Sequence, residues 1–294
     1  MRYRSWLTLL FAGVLALSAC TSDGNGADGN GEEDSDGDAA AAPSPDDGPA
    51  VTVDDPTFDR VAEIQERGSL IVGMTLQFEP QMYRDENNEP AGYDVELVTL
   101  LAEDLGVELD IRDQEFDALI PGMLAGQFDM ISVGLVNRPP RAELMWFTRP
   151  YVPYRQVVAI NDESGIASVD DVNQEGIRVT ALIGSTAANR VETQFPNAEL
   201  VELDQAAAFL EVASGRADAI VVEEYMAIPF VEENAGTSIL EGPPLSQEYG
   251  RWAVPRGDLL WQQYVDNWLD YYTSTGFLDQ LYADIIGPTE GLPQ

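Results

Sequence analysis

Residues 94–111 read DVELVTLLAEDLGVELDI, and this stretch decides the class of fold. Leu97, Leu101 and Leu105 recur every four residues, which is the spacing of one face of an amphipathic helix. Gly106 follows the last of them, and glycine is a common residue at the end of a helix. Residues 107–111 then alternate apolar and acidic side chains with the period of two that predicts a strand. A helix followed at once by a strand is typical of an α/β fold.

The same alternation continues along the chain in both directions. Short apolar runs rich in β-branched residues predict strands, and amphipathic runs predict helices. The further predicted strands are residues 70–73, 129–133, 157–160, 177–182 and 218–222, and the further helices are residues 119–125, 185–195, 204–214, 255–277 and 278–286. This order predicts α/β sheets whose strands are mostly parallel and flanked by helices.

The pattern restarts after Pro153, so we expect two lobes. The helices after Trp252 have no sheet of their own, which predicts that the chain crosses back to the first lobe. The expected segments are lobe 1 (57–150), a hinge (151–156), lobe 2 (157–246), a second hinge (247–251) and helices with a tail that return to lobe 1 (252–294). Open α/β sheets bind ligands at the carboxyl ends of their strands, here at a cleft between the lobes.

The composition argues against several classes of function. The chain has 294 residues, with 52 acidic residues against 15 basic ones and a formal net charge of −37. All basic residues are Arg, and so acidic a chain lacks the basic patch that nucleic acids need. There is no His, the usual general base, and one Cys excludes an internal disulfide and a thiolate zinc site. We therefore expect no nucleic-acid partner, no metal and no cofactor.

The first twenty residues are typical of a secretory leader. Arg2 and Arg4 precede an apolar run at residues 6–19, which is shorter than the ~18 residues that cross a bilayer. The only cysteine, Cys20, ends the sequence LSAC, which resembles a bacterial lipobox in which that cysteine is lipidated. The alternative is an ordinary signal peptide with an unrelated cysteine. A lipobox predicts a protein anchored by several acyl chains at the outer face of the cell membrane.

Residues 21–56 predict a disordered acidic tether. They contain 11 acidic residues, no basic residue and no aromatic residue, so they cannot bury enough apolar surface to offset the entropy of ordering. Residues 57–294 still carry a net charge of −28. Such a composition suits a saline habitat, where screening relieves self-repulsion, or it reflects a bias of the genome.

Several short motifs together carry a family resemblance. They are GYDVEL (92–97), FDALIP (116–121), GQFD (126–129), Arg141, FTRPY (147–151), GST (184–186) and GRADA (215–219). Their order and spacing resemble those of the family 3 extracellular solute-binding proteins, the receptors of polar amino-acid ABC importers. The resemblance runs from about residue 68 to residue 287. It implies a two-lobe, periplasmic-binding-protein-like fold of type II.

The resemblance implies that Arg141 binds the α-carboxylate of the ligand, because a guanidinium meets a carboxylate through two parallel hydrogen bonds. The alternative is a surface Arg paired with Glu143. The family also uses donors just before this arginine, which correspond to Gly134 and Val136. Val136 replaces a usual Ser or Thr, so only its N–H is available. Arg138 replaces a usual Thr and points either into the cleft or outward.

The same resemblance implies that residues of the second lobe complete a site for a zwitterion. Thr186 matches a carboxylate-binding threonine at a helix N-terminus, which suits an anion. Alternatively, Thr186 or Ser185 is an ordinary N-cap. Glu223 matches an acid, more often Asp, that binds the ammonium of the ligand. Alternatively, it is a solvated neighbour of Glu224.

Aromatic residues and one threonine complete the implied site. Phe78 and Phe116 match the aromatics that sandwich the ligand, or else they belong to the core. Thr75 falls where receptors for basic amino acids carry Asp. The resemblance therefore implies a ligand with a neutral or polar remainder rather than Lys, Arg or His.

These features favour a binding protein over an enzyme. We expect a monomeric, lipid-anchored receptor that captures an amino acid or related zwitterion and delivers it to an ABC permease. The competing class is a dehydratase or lyase of the same fold that acts on a small, prephenate-like carboxylic acid, with Glu223 as its acid or base. We expect neither a fused peptidoglycan-cleaving domain nor a membrane sensor, since both need further segments.

Overall fold

The computed structural model of the protein describes residues 58–287. The predicted leader with Cys20, the predicted tether and residues 288–294 lie outside the described residues. Across residues 58–287, no helix combines the length and the apolar character that crossing a bilayer requires.

Helices and strands alternate through most of this region. The helices are α1 (Arg60–Arg67), α2 (Tyr93–Leu105), α3 (Phe116–Leu124), α4 (Pro139–Ala142), α5 (Val169–Val172), α6 (Thr186–Gln194), α7 (Gln205–Ala213), α8 (Glu224–Glu233), α9 (Leu259–Ser274) and α10 (Phe277–Ile285). The strands are β1 (Ser69–Met74), β2 (Gln77–Phe78), β3 (Met82–Arg84), β4 (Pro90–Ala91), β5 (Glu108–Asp113), β6 (Met130–Leu135), β7 (Met145–Phe147), β8 (Val152–Asn161), β9 (Arg178–Leu182), β10 (Glu199–Leu203), β11 (Ala219–Glu223), β12 (Thr237–Ile239) and β13 (Ser246–Pro255).

The stretch at residues 94–111 folds as its pattern predicts, into α2 followed by β5. Leu97 and Leu101 are fully buried on one face of α2. Gly106 ends the helix with φ +73° and donates its N–H to the carbonyls of Ala102 and Glu103. The left-handed φ explains why a glycine stands there.

Ten strands form one sheet with the order β10–β9–β11–β8–β13–β6–β1–β5, and β12 and β7 pair with β8 and β13. Strand β1 pairs parallel with β5 and β6, and these three strands are called the first half of the sheet. Strand β9 pairs parallel with β10 and β11, and these three are called the second half. The long strands β8 and β13 lie between the halves and pair antiparallel with each other. The chain therefore enters the second half through β8 and leaves it through β13, and the α/β fold class is confirmed.

The predicted helix at residues 255–277 is wrong at its beginning. Residues 246–255 form β13, and α9 begins only at Leu259, where the Asp258 side chain accepts the N–H of Trp261 at 3.3 Å. Strand β13 is held by antiparallel pairing with β6, β7 and β8. Its partners are far away in the sequence, so no local pattern shows it.

The last helices pack against the first half of the sheet. Trp261 is fully buried, and its indole N–H donates to the carbonyl of Asp129 at 3.0 Å. Two turns further along α9, Trp268 donates to the Asp104 carboxylate on α2 at 2.8 Å. These contacts fix the first half of the sheet beside the candidate site.

Candidate ligand-binding site

A small cavity lies where β6, β9 and β11 end. The carboxyl ends of parallel strands are the usual place for ligands in α/β sheets. Seven of the eight residues expected to bind a ligand line this cavity: Phe78, Phe116, Gly134, Val136, Arg141, Thr186 and Glu223. The first five come from the side of the first half and the last two from the second half. The fold thus brings together residues that are up to 145 positions apart.

Thr75 is the exception. Its side chain is buried, and its hydroxyl donates to the main-chain carbonyl of Gln114 at 2.8 Å. It does not line the cavity. The hydroxyl is therefore used in joining the end of β1 to the segment after β5.

Arg141 is buried and extends between the two halves. One guanidinium N–H donates to the carbonyl of Val136 at 3.2 Å, and another donates across the cavity to the carbonyl of Gly184 at 2.9 Å. No carboxylate of residues 58–287 lies within 4.0 Å of this guanidinium, so the surface pair with Glu143 is not formed. A buried charge that is bonded only to neutral carbonyls is incompletely compensated.

The electrostatics around Arg141 agree with this geometry. Burial is the main reason that its pKa is lowered to about 10, and the positive charge of Arg138 acts in the same direction. The charge of Glu248 acts against both. Arg141 is still protonated at neutral pH, so an anion placed in the cavity would be stabilised by it. The Nε atom of Arg138 is itself buried and has no hydrogen-bond partner within residues 58–287.

Gly134 differs from its expected role as a donor to the ligand. Its N–H already donates to the hydroxyl of Tyr151 at 3.0 Å. Its φ of +61° is in the left-handed region, and a Cβ atom at this position would lie 1.7 Å from the hydroxyl oxygen of Tyr154. Gly134 is therefore required for the close approach of Tyr154, which also lines the cavity.

A buried glutamine that the sequence analysis missed connects Thr186 and Glu223. The side-chain amide of Gln156, on β8, donates to the Thr186 hydroxyl at 2.9 Å and to the Glu223 carboxylate at 3.1 Å. Its oxygen accepts a hydrogen bond from Arg190 at 2.7 Å. Gln156 lies between Arg155 and the apolar run at residues 157–160 of β8, and nothing in its local sequence marks it as part of the site.

At the N-terminus of α6, the structure shows which of Ser185 and Thr186 caps the helix, a point that the sequence left open. The Ser185 side chain is the N-cap and accepts the N–H of Ala188 at 3.1 Å. Thr186 is the first helical residue, is buried, and lines the cavity with its hydroxyl held by Gln156. Thr186 is therefore free of the capping role and faces the space beside Arg141.

Glu223 is the only acidic residue among the described residues that line this cavity. Burial raises the pKa of its carboxyl, whereas the hydrogen bond from Gln156 lowers it. A cationic group beside Glu223 would offset the cost of burying its charge. The cavity consequently has a basic group, Arg141, and an acidic group, Glu223, in its wall.

The aromatic wall consists of Phe78 and Phe116. Their ring centroids are 6.2 Å apart with an interplanar angle of 62°. The guanidinium carbon of Arg141 lies 5.8 Å from the centroid of Phe116, which fits a cation–π contact. The rings thus form an apolar wall and also help to place Arg141.

A polar network joins the two halves behind the cavity. The side-chain oxygen of Gln81 accepts hydrogen bonds from the hydroxyls of Tyr154 and Tyr225 at 2.8 and 2.7 Å. The Gln81 amide donates to the buried carboxylate of Asp94 at 3.1 Å. Asp94 also accepts hydrogen bonds from Tyr151 and Ser132. Burial raises the pKa of Asp94 to about 6.

Size alone does not identify the site. The candidate cavity has a volume of about 40 Å³, whereas a second, more open cavity of about 810 Å³ lies on the other side of Tyr225. The large cavity has mainly apolar walls, including Phe209 and Phe230, and none of the predicted site residues. We assign the site to the small cavity because the unpaired charge of Arg141 lies there. No group of three or more metal-ligating side chains occurs within residues 58–287.

The sequence matches the bacterial extracellular solute-binding proteins, family 3, over residues 70–288. It is 32% identical over 183 residues to the probable amino-acid-binding protein YxeM of Bacillus subtilis, covering 61% of this chain and 68% of that protein. It is 24% identical over 225 residues to the cyclohexadienyl dehydratase of Pseudomonas aeruginosa, covering 75% of this chain and 84% of the enzyme.

Solved structures that resemble this chain come from the same kinds of protein as these sequence relatives. The ancestral amino-acid-binding protein AncCDT-1, a precursor of cyclohexadienyl dehydratase, matches with a TM-score of 0.72 and 28% identity, over 78% of this chain and 100% of that chain. The arginine-bound Gly52Ala mutant of the T. maritima protein ArgBP matches with a TM-score of 0.67 and 33% identity, over 72% and 99% of the two chains.

Proposed function

Because this chain belongs to the family 3 extracellular solute-binding proteins, we propose that its small cavity captures an amino acid for an ABC importer. Arg141 and Thr186 bind the α-carboxylate, Glu223 binds the α-ammonium, and Phe78 and Phe116 enclose the remainder. The two halves of the sheet act as lobes that separate to admit the ligand and close around it. The single observation that carries this proposal is the buried guanidinium of Arg141, which has no carboxylate partner in the described chain.

The charges of the site favour a neutral or polar amino acid. Arginine is bound by the similar T. maritima protein, and its side chain needs a second anionic partner besides the one for its α-ammonium. Glu223 is the one carboxylate among the described residues of this cavity. With Glu223 assigned to the α-ammonium, a second cation has no counter-charge. A side chain without a positive charge is the better fit.

The proposal extends to the cellular location. Cys20, after cleavage of the leader, carries the lipid that holds the protein at the outer face of the membrane. Residues 21–56 connect this anchor to the folded part, which works as a monomer and passes its ligand to a membrane permease. The lipobox-like sequence LSAC and the acidic composition of residues 21–56 support this arrangement.

A thermal-shift screen of the twenty amino acids tests the proposed function. A ligand present at 100 times its Kd is expected to add about 2.7 kcal/mol to the free energy of unfolding. In calorimetric titration, Arg141→Lys is expected to lower the affinity for the ligand found in this way at least tenfold, which is about 1.4 kcal/mol of binding free energy. Lysine keeps the charge but loses the fork that contacts a carboxylate through two bonds.

Arg112→Lys is the matched control, because Arg112 is exposed on β5 and its one ion pair among the described residues is with Asp110. This control is expected to bind as the wild type does. An Arg141→Lys affinity within twofold of the wild type would remove Arg141 from the site. The absence of any stabilising amino acid would contradict the proposed function itself.

The similarity to cyclohexadienyl dehydratase supports a second candidate function. Its specific observation is Glu223, a carboxyl in the cavity whose pKa is raised by burial, which is a property of general acids. We favour binding without chemistry, because Gln156 holds Glu223 beside Thr186 in a position that suits an ammonium. Incubation with prephenate, followed by absorbance of an aromatic product, separates the two functions. Turnover that is lost in Glu223→Gln would establish the enzyme.

A further inference from the structure

Gln205 has a polar group without a partner at the edge of the candidate cavity. It is the first residue of α7, it is only 3% exposed, and it is one of the residues that line the cavity. Its amide nitrogen is buried and makes no hydrogen bond with any described residue. Buried donors in folded proteins are nearly always satisfied, so a donor without a partner beside a cavity indicates a group supplied by a ligand.

The register of the second half shows where this donor lies. Leu203 of β10 is opposite Leu182 of β9, and Ile220 of β11 is opposite Thr180 of the same strand. The three strands therefore end at the same level, with β9 in the middle. Adjacent strands are about 4.8 Å apart, so the end of β10 lies about 10 Å from that of β11. Gln205 follows β10, whereas Glu223 ends β11.

A ligand that contacts residues at both ends has to span this separation. Glu223 and Thr186, the proposed partners of the α-ammonium and α-carboxylate, follow β11 and β9. Gln205 lies on the far side of them, at the edge strand of the second half. An amino acid held by its α-groups at Glu223 and Thr186 can direct its side chain along the strand ends to Gln205.

The backbone around Gln205 is held in place. The side chain of Asp204, the N-cap of α7, accepts the N–H of Ala207 at 2.8 Å. Gln205 is itself buried, so its side chain has few alternative positions. A donor that is fixed before the ligand arrives distinguishes ligands by whether they offer an acceptor at that point.

We infer that Gln205 determines specificity by donating a hydrogen bond to an oxygen atom on the side chain of the ligand. The ligand class is then an amino acid with a side-chain carbonyl or carboxylate, such as glutamine or glutamate. An apolar side chain of the same length is rejected, because it would leave the amide of Gln205 buried without a partner. This inference rests on the proposed function and narrows it to one class of ligand.

Calorimetric titration with four probes tests the inference. The probes are L-glutamine, L-glutamate, L-norleucine and L-alanine, and the proteins are the wild type, Gln205→Leu and Gln194→Leu. Gln194 is an exposed glutamine at the end of α6 and serves as the matched control. In the wild type, glutamine or glutamate is expected to bind at least tenfold more tightly than norleucine. Gln205→Leu is expected to reduce this ratio of affinities at least fivefold. Its affinity for alanine is expected to stay within twofold of the wild-type value.

The unliganded proteins provide a second measurement that does not depend on any ligand. Since the amide nitrogen of Gln205 loses no partner, Gln205→Leu is expected to unfold at the same or a higher urea concentration than the wild type. A clear loss of stability would mean that the amide has a structural partner, and would overturn the inference.

The outcomes separate this inference from the proposed function. If amino acids bind and the ratio is the same in Gln205→Leu and the wild type, Gln205 has no role in specificity. If none of the twenty amino acids binds, the proposed function fails and the inference fails with it. If Gln194→Leu also reduces the affinity for glutamine or glutamate relative to norleucine, the effect is not specific to the cavity. That result would also overturn the inference.

Discussion

Replacement of Gly134 by alanine is expected to destabilise the protein by about 4 kcal/mol. Gly134 lies at the wall of the candidate cavity with φ +61°, and a Cβ atom there would lie 1.7 Å from the hydroxyl oxygen and 2.5 Å from the Cζ atom of Tyr154. Neither distance is tolerable, so Tyr154 has to move. The substitution thus tests whether the close packing of β6 against β8 is as the structure shows.

Three contributions give this magnitude. A left-handed backbone costs an alanine about 1–2 kcal/mol. Forcing extra volume into a packed site costs about 1–3 kcal/mol. Moving Tyr154 also breaks the 2.8 Å hydrogen bond from its hydroxyl to Gln81, which contributes about 1 kcal/mol. The three contributions add to about 3–6 kcal/mol, a range that includes the expected loss of about 4 kcal/mol.

Gly106→Ala is the matched control for the backbone contribution. Gly106 ends α2 with φ +73°, and a Cβ atom there would have no non-neighbouring atom of residues 58–287 within 4 Å. Its replacement is expected to cost only the backbone share, about 1–2 kcal/mol. Urea unfolding followed by tryptophan fluorescence measures both variants. If the two variants lose the same free energy of unfolding to within about 0.5 kcal/mol, Tyr154 is not packed against Gly134.

Tyr154→Phe adds a further test to the same measurements. It removes the oxygen at 1.7 Å but leaves the ring carbon at 2.5 Å. The double variant Gly134→Ala, Tyr154→Phe is therefore expected to recover part of the loss and not all of it. Full additivity of the two single losses would contradict a direct contact.

Three further predictions concern charge and location. Glu223→Gln is expected to weaken the binding of the amino-acid ligand by about 2–5 kcal/mol and to leave the binding of its des-amino analogue nearly unaffected. Equal losses of affinity for the two ligands in calorimetry would show that Glu223 does not hold the ammonium. Cys20→Ala is expected to release the protein from the membrane fraction with ligand binding intact, and mutant protein in a salt-washed pellet would contradict the lipid anchor. Asp94 has its pKa raised to about 6 by burial, so the folded protein resists its ionisation. The contribution of Asp94 to the free energy of unfolding is expected to be complete below about pH 4 and to be lost, by about 3 kcal/mol in all, as the pH rises through 6. In urea unfolding at several pH values, Asp94→Asn is expected to reduce this slope, and an unchanged slope would assign the pH dependence to other groups.

Local sequence patterns predicted the parts of the fold that are stabilised locally. Leu97 and Leu101 mark the buried face of α2, and Gly106 marks its end, because helix periodicity and left-handed turns depend on neighbouring residues. Strand β13 was missed because its hydrogen bonds are made to β6, β7 and β8. Its sequence SQEYGRWAVP has neither a continuous apolar run nor strict alternation.

The candidate site was predicted as a set of residues but not as a set of contacts. The motifs placed Arg141, Thr186 and Glu223, and the structure brings all three to one cavity. The motifs could not show that Gly134 gives its N–H to Tyr151, or that the Thr75 hydroxyl is bonded to Gln114. Gln156 and Gln205 were missed because a single glutamine has no distinctive signal until a fold shows what its amide faces.

The contacts of Arg141 connect ligand binding to the relative position of the two halves. A cavity of about 40 Å³ holds a few water molecules at most, so an amino acid enters only when the halves move apart. In this structure, Arg141 donates to Gly184 of the second half, and Tyr225 donates to Gln81 behind the cavity. A carboxylate is a stronger acceptor for a guanidinium than a neutral carbonyl is. The carboxylate of a bound ligand would therefore replace or supplement the Gly184 contact and would itself join the halves, so that a single arginine serves both recognition and closure.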